Sequence, residues 1–225
     1  MQRGDAIVAV GRDEVELRHN PSVDPSRRLY AVALDDAPGT SVATGSQAAE
    51  LAEAALNRGA LGCAAQALGL ARRMLDMSVD YTAERHQFGV PIGSFQAVKH
   101  HMADVAVRLE YARAPVYRAA CELAQGRDIA AQAVSHAKLA ACEAAGLAAK
   151  NSIQAHGAMG YTWEVDLHIF MKRAWALANT WGDAGFHKAR VARRDICRRC
   201  RAGRRRDVLI NQAVKGPMGR SWESM

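Results

Sequence analysis

No stretch of 18 consecutive apolar residues occurs in the 225-residue chain, and its first residues, MQRGDAIVAV, lack both an apolar signal core and a small-residue cleavage site. Neither a membrane span nor a secretory signal is expected. Aromatic residues are scarce at 6%, and none falls in the basic cluster RRDICRRCRAGRRRD at 193–207. That cluster has the phosphate-contacting charge of a nucleic-acid binder without the stacking rings, so a solvated or disordered tail is the favoured reading. The five cysteines are an odd number, and Cys63, Cys121 and Cys142 fall in alanine-rich helical sequence, which fits free thiols in a reducing cytoplasm. Cys197 and Cys200 form a CxxC with no second pair, and only His187 stands nearby as a third donor. A zinc site needs about four ligands, so no metal is expected.

The formal net charge is +7. From Lys188 onward there are 12 basic and 3 acidic residues, against 18 and 20 before it, so the positive charge belongs to the tail and the body is near neutral. With 49% hydrophobic residues the chain is not intrinsically disordered. A compact chain of this size buries roughly 70% of the surface that its unfolded form exposes.

Residues 1 to about 45 alternate short β-type runs (Ala6 to Val10, Val15 to Leu17, Leu29 to Leu34) with turn signals at Gly11, Asn20-Pro21, Asp24-Pro25 and Pro38-Gly39. Three strands without a partner layer are not a stable domain, so they read as the end of something larger. From Ser46 the pattern is helical. A first helix, capped by Thr44 or Ser46, carries Leu61, Ala65, Leu68, Ala71, Leu75 and Val79 at spacings of three and four and ends near Tyr81 to Glu84. A second begins after Gly93 with Ser94 as cap and has a seam of Phe95, Val98, Met102, Val105, Leu109, Ala112, Val116, Ala119 and Leu123, with Pro115 inside it as a source of bending. A third starts at Asp128 and runs to about Ala155 with Val134, Ala137, Ala141, Ala144 and Ala148 on one face. A fourth covers about Val165 to Asn179, and a fifth Phe186 to Arg199. The expected fold is mainly α, an up-down helical bundle preceded by a short β remnant.

The most specific segment is ERHQFGVPIGSFQAVKHHMADV at 84–105. Arg85, Gln87 and Phe88 there offer a guanidinium fork, an amide and a ring face, which suit a flat, phosphate-bearing cofactor. The same residues fit a plain helix connection with Arg85 in solvent. His100 and His101 read as solvated or partly packed, while His156 and His168 could line a pocket but are more simply structural.

YTAERHQFGVPIGSFQ at 81–96, Ala137-Lys138, QAHGAMGYTWE at 154–164 and Lys172 to Ala174 stand in the order and spacing of the acyl-CoA dehydrogenase family, which the chain resembles from about Pro21 to about Ala192. The resemblance implies a division into a remnant of the family's middle β-domain (1–45), its C-terminal helical bundle (46–192) and a basic tail (193–225). It implies FAD as cofactor, acyl-CoA as substrate and an electron-transfer flavoprotein as acceptor. Arg85 and Phe88, with Gln87 beside them, match family residues that reach FAD held mainly by a neighbouring subunit. Gln154 and Gly157 match the turn that contacts the adenine side of a neighbour's FAD, with Ala158 replacing a second glycine there.

Chemistry in this family is removal of the α-proton of an acyl-CoA thioester by a carboxylate, with hydride passing to the flavin. The two places where the family puts that base are occupied here by Trp181 and Gly59, with Ala60 where many relatives have Arg. Asp183 is a weak substitute, while Glu53 stands nearly two helical turns from Gly59 and Glu164 matches a position not used as base. YTWEVDLHIFMKRA at 161–174 is similar to subunits of actinobacterial heteromeric acyl-CoA dehydrogenases acting on bulky thioesters, such as those of sterol side chains. In those assemblies one subunit carries the base and its partner does not. The implied function is a truncated or non-catalytic subunit in a homo- or hetero-oligomer, contributing cross-subunit FAD contacts and inactive alone. The alternative is a non-enzymatic helical assembly module with a nucleic-acid-binding tail.

Overall fold

The computed structural model describes residues 6–193. Strands β1 (Ala6–Val10), β2 (Glu16–Asn20), β3 (Leu29–Ala33) and β4 (Gly39–Thr44) precede helices α1 (Gly45–Glu84), α2 (Gln96–Ala124), α3 (Ala130–His156) and α4 (Leu167–Ala178), and α5 occupies 184–193. Strands β5 (His86–Gln87) and β6 (Val90–Pro91) make a small hairpin between α1 and α2. The mainly α bundle is as expected. The tail with its CxxC lies outside the described residues.

The β segment forms two separate antiparallel ribbons, β1 with β4 and β2 with β3. Strand β4, GTSVAT, is hidden in the sequence because its glycine, serine and threonines read as turn chemistry. Val8, Val32, Leu34 and Val42 are all exposed, so these ribbons have no second layer. Ala43 of β4 is buried where the first ribbon meets α1, and the loop between β2 and β3 is tied to α4 by polar contacts. Buried Asp24 accepts from Arg173 of α4 at 3.2 Å and from the Ser26 hydroxyl at 2.6 Å, while Arg27 donates to Thr180 Oγ1 at 2.9 Å. Burial alone would raise the Asp24 pKa, but the Ser26 bonds and the Arg173 guanidinium outweigh it and hold the carboxyl below its ordinary value.

Helix α3 is the centre of the bundle, packed on α1, α2 and α4. Helices α1 and α3 run parallel, since Ser152 Oγ donates to the Met74 carbonyl at 3.1 Å and the Tyr81 and His156 rings stack at 4.2 Å. Helix α2 runs opposite, with Asn151 donating to the His101 carbonyl at 3.0 Å and Arg108 paired with Glu143 at 3.2 Å. The predicted seams of α2 and α3 face the core; only Phe95 at the mouth of the α2 seam is exposed. The seam of α1 is turned from expectation. Ala65 and Val79 face solvent, and the buried face is Ala60, Cys63, Ala64, Ala67, Ala71, Met74 and Leu75. Small residues win the interface because they let the α1 and α3 axes approach closely, which displaces the leucines to the flank.

The expected caps are also corrected. Ser94 lies in a short 3-10 turn, its hydroxyl donating to the Pro91 carbonyl at 2.7 Å, so α2 starts two residues later with Phe95 at the cap. Asp128 stands outside α3, whose cap is Ile129, and Thr44 caps α1 without a side-chain hydrogen bond. Pro115 sits inside α2 without ending it. It removes the donor for the Tyr111 carbonyl, a residue exposed enough for water to serve instead.

Because the α3 face is close-packed around alanines, Ala141→Leu, at a fully buried site, is expected to cost about 1–3 kcal/mol through overpacking. Chemical denaturation reads this directly, with the exposed Ala65→Leu change leaving the midpoint unaltered.

Candidate functional site

The residues singled out from sequence fall at two places. Arg85 ends α1, and the β5–β6 hairpin that follows presents His86, Gln87 and Phe88, all exposed. Ile92 N–H donates to the Arg85 carbonyl at 2.8 Å, and Gly93 packs so closely on Thr82 that a Cβ there would lie 3.0 Å from the Thr82 carbonyl oxygen. The hairpin is thereby pinned to the end of α1. Phe88 and Gly89 form its turn with φ of 54° and 81°. Two consecutive left-handed residues define a turn that favours Asn or Gly, and a bulky ring at the first position is strained there. Phe88 is nevertheless 92% exposed, its ring edge-on to that of Phe95 at a 6.2 Å centroid distance.

Gln154 and Gly157 lie at the C-terminal end of α3, where Gly157 leaves the helix at φ 59°. The Tyr81–His156 stack joins this turn to the end of α1, so Arg85, Gln87, Phe88, Gln154 and Gly157 share one end of the bundle. The side chains of Arg85, Gln87 and Gln154 have no hydrogen-bond partner among the described residues. Tyr161 and Trp163, 70% and 77% exposed, stand at the same end. The sequence pattern does not single out Trp163, whose ring is held by the Lys172 amine at 4.9 Å and the His168 ring at 4.4 Å. Its signal is the i to i+4 spacing of His168 and Lys172. A guanidinium, two amides and an exposed ring fit the phosphate and flat ring of a dinucleotide such as FAD, provided something else supplies the rest of its cradle.

Gly59 and Trp181 are remote from this end, yet they touch each other. A Cβ on Gly59 would lie 2.8 Å from Trp181 Cγ, with other ring atoms nearer still. Trp181 has φ 58° and Gly182 φ 98°, a left-handed corner after α4. Below it, buried Lys138 donates through Nζ to the carbonyls of Leu177 at 2.8 Å, Ala178 at 3.2 Å and Gly182 at 3.4 Å. The amine thus satisfies the last carbonyls of α4 and sits at the negative end of its dipole. His187 is fully buried, with Nε2 3.0 Å from the Trp181 carbonyl oxygen and Nδ1 3.1 Å from Ser135 Oγ. A carbonyl only accepts, which assigns a proton to Nε2, while Nδ1 faces the Ser135 hydroxyl, which itself donates to the Ala131 carbonyl at 3.0 Å.

Neither Asp183 nor Glu53 is a free carboxylate. Asp183 Oδ1 accepts from Phe186 N–H at 2.8 Å as the cap of α5, and Glu53 pairs with Arg190 at 2.8 Å. His187 has both ring nitrogens engaged, which removes it as a third donor for the cysteine pair; among the described residues no cluster of three or more His, Cys, Asp or Glu could hold a metal. Burial pushes the Cys63 and Cys142 thiols up, so they remain protonated. The roles of Lys138 and His187 at the corner are not evident in the sequence. The clue to Lys138 is a lone lysine at the centre of an alanine face.

The chain matches the family described as "Acyl-CoA dehydrogenase, C-terminal domain" over residues 49–195. It is 40% identical over 153 residues to acyl-CoA dehydrogenase IpdE2 of Mycobacterium tuberculosis, covering 68% of this chain and 43% of that one. Among solved structures it resembles a glutaryl-coenzyme A dehydrogenase in complex with glutaryl-CoA (TM-score 0.74, 29% identity, 80% of this chain and 46% of that one). It also resembles the ChsE4–ChsE5 complex from M. tuberculosis (TM-score 0.73, 25% identity, 84% of this chain and 55% of that one). The chain belongs to the acyl-CoA dehydrogenase family. It spans about half the length of these relatives. No helix among the described residues is long and apolar enough to cross a membrane.

Burial lowers the pKa of His187, reinforced by the Lys138 and Arg190 cations and opposed by the Trp181 bond and Asp183; burial likewise lowers His156 against its bond to the Ser152 carbonyl. The unfolded chain then binds protons from the ordinary histidine value of about 6.5 downward while the folded chain does not. Stability is full above that pH and falls as pH drops below it, by up to about 1.4 kcal/mol per pH unit for each histidine until its folded pKa is reached. Urea midpoints between about pH 7.5 and 5 are expected to decline accordingly, with a shallower decline in His187→Gln.

Proposed function

We propose that this chain is a non-catalytic acyl-CoA dehydrogenase subunit. Its bundle (46–192) pairs with a catalytic relative and lends Arg85, Gln87, Phe88, Gln154 and Gly157 to FAD held mainly by that partner. The ribbons before it correspond to part of the family's middle β-domain. When bound, FAD supplies the two-electron oxidation of an acyl-CoA, and an electron-transfer flavoprotein is the expected acceptor. This chain's share is to hold and orient: the Arg85 fork for phosphate, the Gln87 and Gln154 amides for polar groups, and the Phe88 ring as a wall.

The observation that carries this reading is a separation. Gly59 and Arg85 are 26 residues apart on one continuous helix, roughly 39 Å at 1.5 Å per residue. The cofactor-directed end and the Gly59–Trp181 contact therefore cannot meet at one reacting carbon of one chain. Residues exposed at the far end, with free polar groups and a strained ring, have work only against a second molecule. At the near end the base positions hold an indole and no side chain, and the two nearest acids are committed to Phe186 N–H and Arg190. The ChsE4–ChsE5 complex, an assembly of two differently named chains, gives the pairing a precedent of form. The free thiols Cys63, Cys121 and Cys142 fit a cytoplasmic setting.

Purified by itself and incubated with excess FAD, the chain is expected to retain no visible flavin absorbance and to pass no electrons from acyl-CoA to an artificial acceptor. Retained flavin with acyl-CoA oxidation overturns the reading.

A further inference from the structure

Helix α2 carries two seams. One is buried against α1 and α3. The other, on the opposite side, runs Val107, Tyr111, Ala114, Arg118 and Cys121 at alternating spacings of four and three, and every one of these residues is exposed. Val107 is 53% and Tyr111 75% exposed, with Tyr117 beside them at 68%. A helix face that meets only water is predominantly charged and polar, whereas this one presents a valine, two tyrosines and a central alanine. Next to it a groove of about 680 Å³ opens between α2 and α3, lined by Ala114, Pro115 and Arg118 on one side and Ile129, Ala133 and His136 on the other. Tyr111 stands at the rim of this groove, one turn after Arg108, which pairs with Glu143 of α3, and one turn before Pro115.

We infer that α2 pairs with α2 of a second copy of this chain, antiparallel about a two-fold axis at Ala114, each copy's Tyr111 entering the other's groove. A two-fold contact requires a self-complementary patch, and this stripe is one in three respects. Pairing about Ala114 sets Val107 of one copy level with Cys121 of the other, and Tyr111 level with Tyr117, so apolar surface meets apolar surface. It sets Glu110 level with Arg118, so acid meets base twice. Within the chain these two side chains make only exposed pairs, Glu110 with Arg113 and Arg118 with Glu122, which are weak and leave both free to turn. Finally, the two-fold keeps the α3 flanks of both copies on the same side, so Tyr111 arrives over the groove between Pro115 and Arg118. The alanine at the axis lets the helices approach closely. The contact from 104 to 121 is roughly 27 Å long and about 10 Å wide. That falls well short of the roughly 800 Å² per partner of a standard interface, so the dimer is weak and dissociates on dilution. None of Arg85, Gln87, Phe88, Gln154 and Gly157 lies on α2, so this contact goes beyond the pairing with a flavin-holding relative and does not depend on it.

Sedimentation equilibrium of the full chain between about 5 and 500 μM is expected to show monomer passing to dimer. Ala114→Glu, which sets two like charges at the axis from an exposed site, is expected to leave a monomer with an unchanged melting point. Glu110→Arg is expected to weaken the dimer by roughly fivefold or more, and adding Arg118→Glu to restore it. Wild type that stays monomeric at the upper concentration overturns the inference. So does a dimer that Ala114→Glu leaves intact, since it uses another surface. If Ala114→Glu lowers the melting point, the charge reversal decides: restoration by the double change supports the pairing, and its failure refutes it.

Discussion

The Lys138 amine, buried among carbonyls at the end of α4, is the interaction on which the rest of the near end depends. It projects from the alanine face of α3, so it is in place only if α3 is central and closely approached. By taking the carbonyls of Leu177, Ala178 and Gly182 it ends α4 and sets the direction of the corner at 181–182. That corner places Trp181 on Gly59, Asp183 at the cap of α5, and Arg190 of α5 against Glu53. Thr180, next in line, receives Arg27, which with Asp24 and Arg173 ties the β ribbons to α4. One buried donor thus connects a core helix, a strained turn, a capped helix and a docked strand segment.

The far end is built on different physics. There the backbone is held by the pinning of the hairpin on Thr82 and by the Tyr81–His156 stack, and the side chains of Arg85, Gln87 and Gln154 have no hydrogen-bond partner among the described residues. The contrast is informative. At the near end Lys138, His187 and Asp183 have their partners within the chain, and the Trp181 ring lies against Gly59. At the far end a guanidinium, two amides and an exposed ring stand without hydrogen-bond partners among the described residues, which is the feature that the proposed pairing uses.

Much of this is legible in the sequence. The α2 seam, from Val98 to Ala119, shows the plain helical period of a two-sided contact and faces the core as expected. The α1 stripe is misleading because its leucines look like the interface, whereas the core of α1 is mostly alanine, cysteine and methionine; hydrophobic size and burial part company where helices pack closely. Caps fail for a local reason: Ser94 turns its hydroxyl to Pro91 instead of the helix. Gly59 and Trp181 can each be picked out in the sequence, but their contact cannot, because the residues are more than a hundred positions apart and nothing in their spacing announces it. Asp183 is readable as an acid and not as a helix cap, since the cap exists only once α5 has started.

On the proposed reading, the exposed end of this bundle serves a cofactor seated in another chain. The most direct measurement of that is the flavin content of the assembly formed with a co-expressed FAD-holding relative, before and after Arg85→Ala. The assembly is expected to retain flavin, and the substitution to loosen it by about tenfold or more through loss of a charge-assisted contact, with this chain's melting point unchanged. Flavin retention indifferent to Arg85→Ala would contradict it.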